Sequence, residues 1–301
     1  MAEFYFSAFA DEAASDLHGQ ISALKDNGIS YIEPRFIDKR GVITLSDEEL
    51  MTVKAELDCA GIKVGSLGSP LGKFPIDGDF DEQLSVLDTA LRACEILGAK
   101  RMRMFSFYIP NGEYDKYRDE VIKRLSQMVQ IASSRGITLC HENEEGIYGQ
   151  DPERVSDLLT SVDGLGGIFD PANYCVVGDD AMDGFNATLP HLEYLHIKDA
   201  LTKGKPGTES GMVILPAGEG DGRIGEVLDM VNEATNGKIM LTLEPHLYTS
   251  DAFLGVDDRA LAKAQRYSSE REAFDAAADA LHNLLCSLGY EKSGIYYKKL
   301  H

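Results

Sequence analysis

Apolar positions along the chain fall into two alternating textures. In one they recur every three or four residues, as a helix with a single buried face requires. Leu50, Val53 and Leu57 follow this spacing, as do Leu84, Leu87, Leu91 and Cys94, and then Val121, Leu125, Met128 and Ala132. In the other, short apolar runs sit between turn residues, as in strands buried on both faces. Strands are predicted on this basis at 4–8, 30–34, 63–67, 101–105, 138–142, 167–170, 194–198 and 239–244.

The two textures meet in the same way four times. Asn27-Gly28-Ile29, Ala60-Gly61-Ile62, Leu97-Gly98-Ala99 and Arg135-Gly136-Ile137 each end an amphipathic stretch at a glycine before an apolar run. Glycine ends a helix there because it enters the left-handed region without a Cβ clash. Ser46-Asp47-Glu48-Glu49 opens one such stretch as a capping box. The junctions recur at about the length of one β–α unit. Eight strands alternating with helices predict an α/β fold, a (β/α)8 TIM barrel, with residues 1–301 forming one domain. The competing arrangement, a doubly wound open sheet, is disfavoured because no Gly-rich phosphate loop follows the first strand. Segment 202–217, rich in Gly, Lys and Pro, is predicted as a long loop after strand seven, of a length that is often functional.

Composition narrows the partners. The length of 301 residues suits one such barrel. Asp and Glu number 50 against 29 Lys and Arg, for a net charge of −21, which disfavours nucleic acid as a partner. No apolar run approaches the ~20 residues of a membrane span. The N-terminus lacks a basic segment followed by an apolar one, so a soluble, cytoplasmic protein is expected. Five scattered cysteines with no CxxC pair read as free thiols rather than a disulfide framework or zinc knuckle.

Candidate chemistry gathers at the C-terminal ends of the strands, the active face of such barrels. Strand five ends at His141-Glu142, strand six at Phe169-Asp170, strand seven carries His196-Ile197-Lys198-Asp199, and strand eight ends at Glu244-Pro245-His246. Taken singly, each has a commoner role. A carboxylate at a strand end often caps the next helix, as Asp170-Pro171 suggests, and a strand histidine is usually a hydrogen-bonded core residue. Four such groups at equivalent places on four consecutive strands favour a shared cation. Glu142, Asp170, His196 and Glu244 form a mostly hard O/N set, suited to Mn²⁺, Mg²⁺, Co²⁺ or Fe²⁺, with Zn²⁺ also open.

On these segments the chain resembles the xylose-isomerase-like TIM-barrel superfamily of sugar phosphate isomerases and epimerases. That group includes ketose 3-epimerases, inosose dehydratases and, more distantly, AP endonucleases. The resemblance rests on Glu142-Asn143-Glu144, on Asp170 with Asn173, on His196-Ile197-Lys198-Asp199, on Glu244-Pro245-His246, and on Ile32-Glu33-Pro34-Arg35. It implies that Glu142, Asp170, His196 and Glu244 bind one divalent metal ion, with manganese the first expectation. It also implies that Glu142 and Glu244 serve as the catalytic acid/base pair.

The expected activity is a metal-dependent isomerase or epimerase of a ketose or polyol, working through a metal-stabilised enediolate. A lyase on a keto-sugar or inosose (a dehydratase or a glycoside-eliminating enzyme) is the alternative, and a non-catalytic sugar-binding relative is another. Glu33 and Arg35 could hold sugar hydroxyls or form a buried ion pair that ties strands together. Lys73 could meet an anionic substrate, and His246 could touch substrate or transfer a proton. Lys198 and Asp199 are expected behind His196. The chain departs from the ketose epimerases at Asn173, where they commonly carry a histidine that helps place substrate. Homo-oligomerisation is possible through segment 202–217 or the tail 290–301.

Overall fold

Each apolar run predicted as a strand is a strand in the computed structural model, which describes residues 1–209, 211–248 and 266–300. The strands are β1 (Glu3–Ala8), β2 (Tyr31–Ile32), β3 (Lys63–Val64), β4 (Arg101–Met104), β5 (Thr138–Glu142), β6 (Gly166–Phe169), β7 (Leu192–Ile197) and β8 (Lys238–Leu243). Parallel ladders join β4 to β5, β5 to β6, β6 to β7, β7 to β8, and β8 back to β1. The rest of the circuit is thinner. Glu33 N–H donates to Ala8 O, β2 pairs with β3, and Leu67 bridges to Met102, which together close a (β/α)8 barrel.

β2 and β3 are shorter than predicted, for local reasons. Pro34 has no N–H with which to extend β2. Beyond β3, Gly65 lies so close to Met240 that a Cβ would fall 2.3 Å from its sulfur, and a Cβ on Gly68 would meet the Phe9 ring at 2.6 Å. The predicted ends at Asp170, Lys198 and Glu244 fall one residue past β6, β7 and β8, at the step into the loops.

Seven of the nine described α-helices begin at a side-chain N-cap. The nine are α1 (Leu17–Asp26), α2 (Asp47–Ala60), α3 (Phe80–Leu97), α4 (Tyr114–Ser134), α5 (Pro152–Ser161), α6 (Pro171–Val177), α7 (Ala181–Thr188), α8 (Ile224–Ala234) and α9 (Glu270–Ser287). The Ser46–Glu49 capping box is reciprocal, and Gly61 and Gly98 cap α2 and α3 with left-handed φ of 75° and 79°. None of the described helices is long and apolar enough to cross a membrane. All five cysteines are free, with Cys94, Cys140 and Cys175 buried and Cys59 and Cys286 exposed.

The barrel interior has two contrasting levels. The lower level is a cluster of Tyr5, Cys140, Ile168, Tyr194 and Met240, with Tyr31 and Tyr296 packed on it. The upper level is polar, with Ser7, Glu33, Arg103, Glu142, Asp170, His196 and Glu244 all buried. Segment 202–217 is not structureless. Residues Asp199–Ala200 pair with Ile214–Leu215 as a short ribbon across it, while Ser210 lies outside the described residues.

The C-terminal tail serves the barrel itself. β9 (Tyr290–Ser293) and β10 (Tyr296–Lys299) form a hairpin, and β10 lies antiparallel on β1 with Phe4 opposite Tyr297. Tyr297 is buried, stacks on Phe6 at 4.8 Å, and its hydroxyl lies 2.8 Å from His282 Nδ1. His301 lies outside the described residues. Tyr297→Ala is expected to destabilise the fold by about 3 kcal/mol, seen as a lower urea midpoint. The exposed neighbour Glu291→Ala should change it by under about 0.5 kcal/mol. An unmoved midpoint for Tyr297→Ala would mean that the hairpin does not support β1.

Candidate metal centre

The strand ends of β5 to β8 bring four groups to one place. One ligand atom each from Glu142, Asp170, His196 and Glu244 can be chosen so that all lie within 4.8 Å of one another, and all four residues are buried. His196 Nδ1 is 3.0 Å from Glu142 Oε1 and 3.2 Å from Glu244 Oε2. The imidazole is held from below. Its Nε2 lies 3.4 Å from Glu33 Oε2, while Glu33 Oε1 accepts the Tyr194 hydroxyl at 2.8 Å. Donation from Nε2 to Glu33 leaves Nδ1 turned toward the carboxylates, which is how an outer carboxylate orients a metal-binding histidine.

Asp170 serves two elements at once. Its Oδ1 accepts the Ala172 and Asn173 N–H groups and caps α6, while its Oδ2 faces Lys198 Nζ at 2.7 Å. The helix cap and the cluster member are therefore the same residue. Asn143 locks β5 to β6 by a reciprocal pair, its Nδ2 donating to Asp170 O and its Oδ1 accepting Asp170 N–H, each at 3.1 Å. Asn173 donates to Asn143 O at 2.8 Å and reaches Glu142 Oε1 at 3.5 Å.

Charge is unbalanced at this level. Asp11, Glu12, Glu33, Glu142, Asp170 and Glu244 are buried here against Arg35, Arg103 and Lys198. Arg35 holds Asp11 at 2.9 Å, Glu12 at 3.4 Å and Glu244 at 3.2 Å. Arg103 Nη1 lies 3.1 Å from Glu142 Oε2 and 3.8 Å from Glu244 Oε1.

The excess shows in the protonation equilibria. Burial pushes Glu12 up to about 8, and burial with the Glu244 and Glu142 charges raises Asp170 to about 7 against the pull of Lys198. For Glu142, burial is outweighed by His196 and Arg103, which hold its carboxyl low, and for Glu244 by Lys198 and His196. Burial opposes the charged form of His196, but Glu142 and Glu33 raise it well above the usual imidazole value. Asp170 Oδ2 and Glu244 Oε2 are buried without an aligned hydrogen bond among the described residues. Three hard carboxylates and one imidazole with unsatisfied oxygens fit a divalent cation.

The other expected residues divide. Arg35, Lys73 and His246 lie at the mouth, with Lys73 Nζ 3.1 Å from Glu144. His246 is buried with φ +46°, and its N–H donates to Glu12 Oε2 at 2.7 Å. Glu33, expected to hold sugar hydroxyls or to join a buried ion pair tying strands together, lies beneath His196 with 0 % exposure, and Arg35 ties its own strand end to those of Asp11, Glu12 and Glu244. Lys198 does support the cluster, but Asp199 turns away from His196. Its carboxylate accepts the N–H groups of Gly218, Gly220 and Gly222 at 2.9, 3.0 and 2.9 Å and so organises the loop before α8. His141 faces outward from the barrel, with Nε2 3.0 Å from Ser106 Oγ.

Arg103, Asn143, Asp11 and Glu12 were not anticipated as site residues. The alternation Arg101-Met102-Arg103-Met104 is a signal for an inward arginine, and Asp11-Glu12 stand just past β1 on the active face.

A family profile described as xylose isomerase-like TIM barrel matches residues 21–282. Among curated proteins, none matches the chain by sequence. Solved structures share its fold at low identity. A xylose isomerase-like TIM barrel protein from Mycobacterium smegmatis in complex with magnesium is 17% identical, covering 95% of this chain and 97% of that one, with a TM-score of 0.67. A probable 3-DHS dehydratase from Bacillus anthracis is 14% identical over 94% and 99%, with a TM-score of 0.69. D-psicose 3-epimerase from Clostridium cellulolyticum H10, with D-tagatose, is 13% identical over 94% and 99%, with a TM-score of 0.65.

The pKa shifts set a stability signature. Asp170, Glu12 and His196 are raised, so the stability they give is present at low pH and lost as pH rises through their folded values. Burial lowers His141 to about 4, so its stabilising contribution grows with pH but is complete by about 6.5. Between pH 6.5 and about 8 the raised groups dominate. The metal-free protein should lose thermal stability across that window, and saturating Mn²⁺ should raise Tm and flatten the slope. Metal-free stability that rises across the window, or a Tm insensitive to Mn²⁺, would count against the cluster as a cation site.

Proposed function

The chain belongs to the xylose isomerase-like TIM barrel family, and on that premise we propose that it is a divalent-metal-dependent isomerase or epimerase of a keto-sugar or a polyol-derived ketone. Glu142, Asp170, His196 and Glu244 are the proposed ligands, and Glu142 and Glu244 the proposed proton-transfer pair. One observation carries the reading. Each glutamate turns one oxygen toward His196 Nδ1, while its other oxygen, Glu142 Oε2 or Glu244 Oε1, flanks the guanidinium of Arg103.

In this reading the inward oxygens would bind the ion and the outward ones would meet substrate. A bound divalent cation would supply Lewis-acid polarisation of a substrate carbonyl, which acidifies the adjacent C–H. The chain's own groups do the rest. Both glutamates are held ionised, so either can accept the carbon-bound proton, and the other can return one. Return to the opposite face of the same carbon gives an epimer, and return to the neighbouring carbon gives an aldose–ketose pair. Arg103, with Nη1 3.1 Å from Glu142 and 3.8 Å from Glu244, offsets their mutual repulsion and would stabilise negative charge that develops on a substrate oxygen.

An elimination on the same platform is favoured by one feature. Glu12, raised to about 8, stays protonated beside Arg35 near neutral pH and offers a proton to a departing hydroxide.

The test is solvent proton exchange. Mn²⁺-loaded protein incubated in D₂O with ketoses, inososes and 3-keto-glycosides should place deuterium next to the carbonyl of its substrate, read by NMR. A dehydrated or cleaved product would identify the lyase. Glu142→Gln and Glu244→Gln should each lower the rate by about 10²–10⁴, with metal content measured alongside. Full exchange in both variants would overturn the assigned pair. Binding without exchange would make the protein a non-catalytic relative.

A further inference from the structure

Beside the cluster lies a cavity of about 430 Å³, bounded by the loops after β2, β3 and β4. Among the described residues its charged lining is Arg35, Lys73 and Arg103, with no acidic side chain. That is unusual for this molecule, whose net charge is −21. The groove between α1 and α2, by contrast, is lined by Asp16, Asp38, Glu49 and Glu56 with Arg40. We propose that the substrate carries an anionic group, a carboxylate or a phosphate, received by Lys73 and Arg103 in this cavity. The proposal rests on the reading of the adjacent cluster as the catalytic centre.

The cations are built in rather than incidental. Arg35 and Arg103 stand over the Phe9 ring at 4.6 and 4.9 Å, and Arg103 and Lys73 over the Phe105 ring at 5.1 and 4.5 Å. Both rings are fully buried. Two fixed aromatic faces therefore hold three like charges along one wall, and cation–π attraction offsets part of their repulsion.

Lys73 stands on a rigid support. Phe105 N–H donates to Leu71 O at 2.8 Å and Phe107 N–H to Gly72 O at 3.0 Å. Gly72 has φ +86°, and a Cβ there would fall 2.0 Å from Phe105 O, so only glycine lets the two loops meet this closely.

The carboxylates behind the wall do not cancel it. Arg103 uses Nε on Ser69 O and Nη1 on Glu142 and Glu244, and its Nη2 has no hydrogen-bond partner among the described residues. Among the described residues Lys73 has one ion-pair partner, Glu144, for three N–H donors. Glu142 and Glu244 are also the groups a divalent cation would claim. Two added positive charges there would loosen the hold of Glu142 and Glu244 on Arg103 and leave its guanidinium able to take an anionic partner from the cavity side. A neutral sugar needs acceptors as well as donors, and this wall supplies mainly donors. A carboxylate or phosphate matches it, and a guanidinium edge binds either with paired hydrogen bonds. The volume is ample for a six-carbon acid or sugar phosphate.

Three non-reacting probes of one carbon framework test this on the Mn²⁺-loaded protein by calorimetry: glucitol, gluconate and glucitol 6-phosphate. At least one anionic probe should bind about tenfold more tightly than glucitol, and which one does so identifies the group. Lys73→Met should cut that advantage several-fold with Mn²⁺ content unchanged, and Arg103→Met should cut it further. Equal affinity for all three probes would overturn the proposal. So would an anion advantage untouched by both variants, since the anion would then sit on the metal alone. These outcomes are separate from the catalytic reading, which stands or falls on metal-dependent proton exchange.

Discussion

Negative charge confined to a small buried volume is the constraint from which the rest of this site follows. Six carboxylates share the upper barrel interior with Arg35, Arg103 and Lys198. Two like charges about 4 Å apart repel by about 4 kcal/mol even at an effective dielectric near 20, so the excess must be relieved. Without a cation the relief is by protons, on Glu12, on Asp170 and on His196. With a divalent ion among the four proposed ligands, the protons on Asp170 and His196 become unnecessary. Metal binding and protonation are thus alternative solutions to one electrostatic problem, and the arginines, which cannot deprotonate, stay in both.

The same constraint explains why each polar group has two jobs. Asp170 caps α6 with one oxygen and turns the other to the cluster. Glu33 fixes His196 from below while accepting the Tyr194 hydroxyl. Asn143 ties the end of β5 to the end of β6 through the Asp170 backbone. The interactions that terminate strands and start helices are therefore also the ones that orient the four groups of the cluster. Positions set this way sit on the scaffold rather than on free loops, which is what a preorganised site requires.

Much of this was legible in the sequence, and the limits have physical causes. Short apolar runs between period-3.6 stripes, four of which end at a glycine, located all eight strands, because local backbone chemistry and burial act together there. The four strand-end groups could be identified because a parallel barrel converts chain position into a point on one face. Arg103 was harder to see, since a cation inside an apolar strand is explained only by carboxylates arriving from β5 and β8. Glu33 and Asp199 show the converse. Both stand at strand ends, but Glu33 points down under His196, while Asp199 points out to the glycine loop at 218–222. A strand's pleat decides that direction, and β2 is too short for its pleat to be read from sequence.

A polar upper level costs stability, and the lower level of the barrel compensates. Tyr5, Tyr31, Tyr194 and Met240 fill the floor, with Tyr5 and Tyr31 rings 4.6 Å apart, and the C-terminal hairpin packs Tyr296 and Tyr297 against β1. Tyr194 connects the two levels, its ring in the apolar floor and its hydroxyl on Glu33. Rigidity generated by aromatic packing below thus reaches the imidazole above through a single hydrogen-bonded chain from Tyr194 to Glu33 to His196. The division between a stabilising N-terminal end and a chemical C-terminal end is general to such barrels. Here it has a specific carrier. A change in the floor that shifts Tyr194 would shift His196 Nδ1 relative to three carboxylates, and so alter metal affinity from the far end of the barrel.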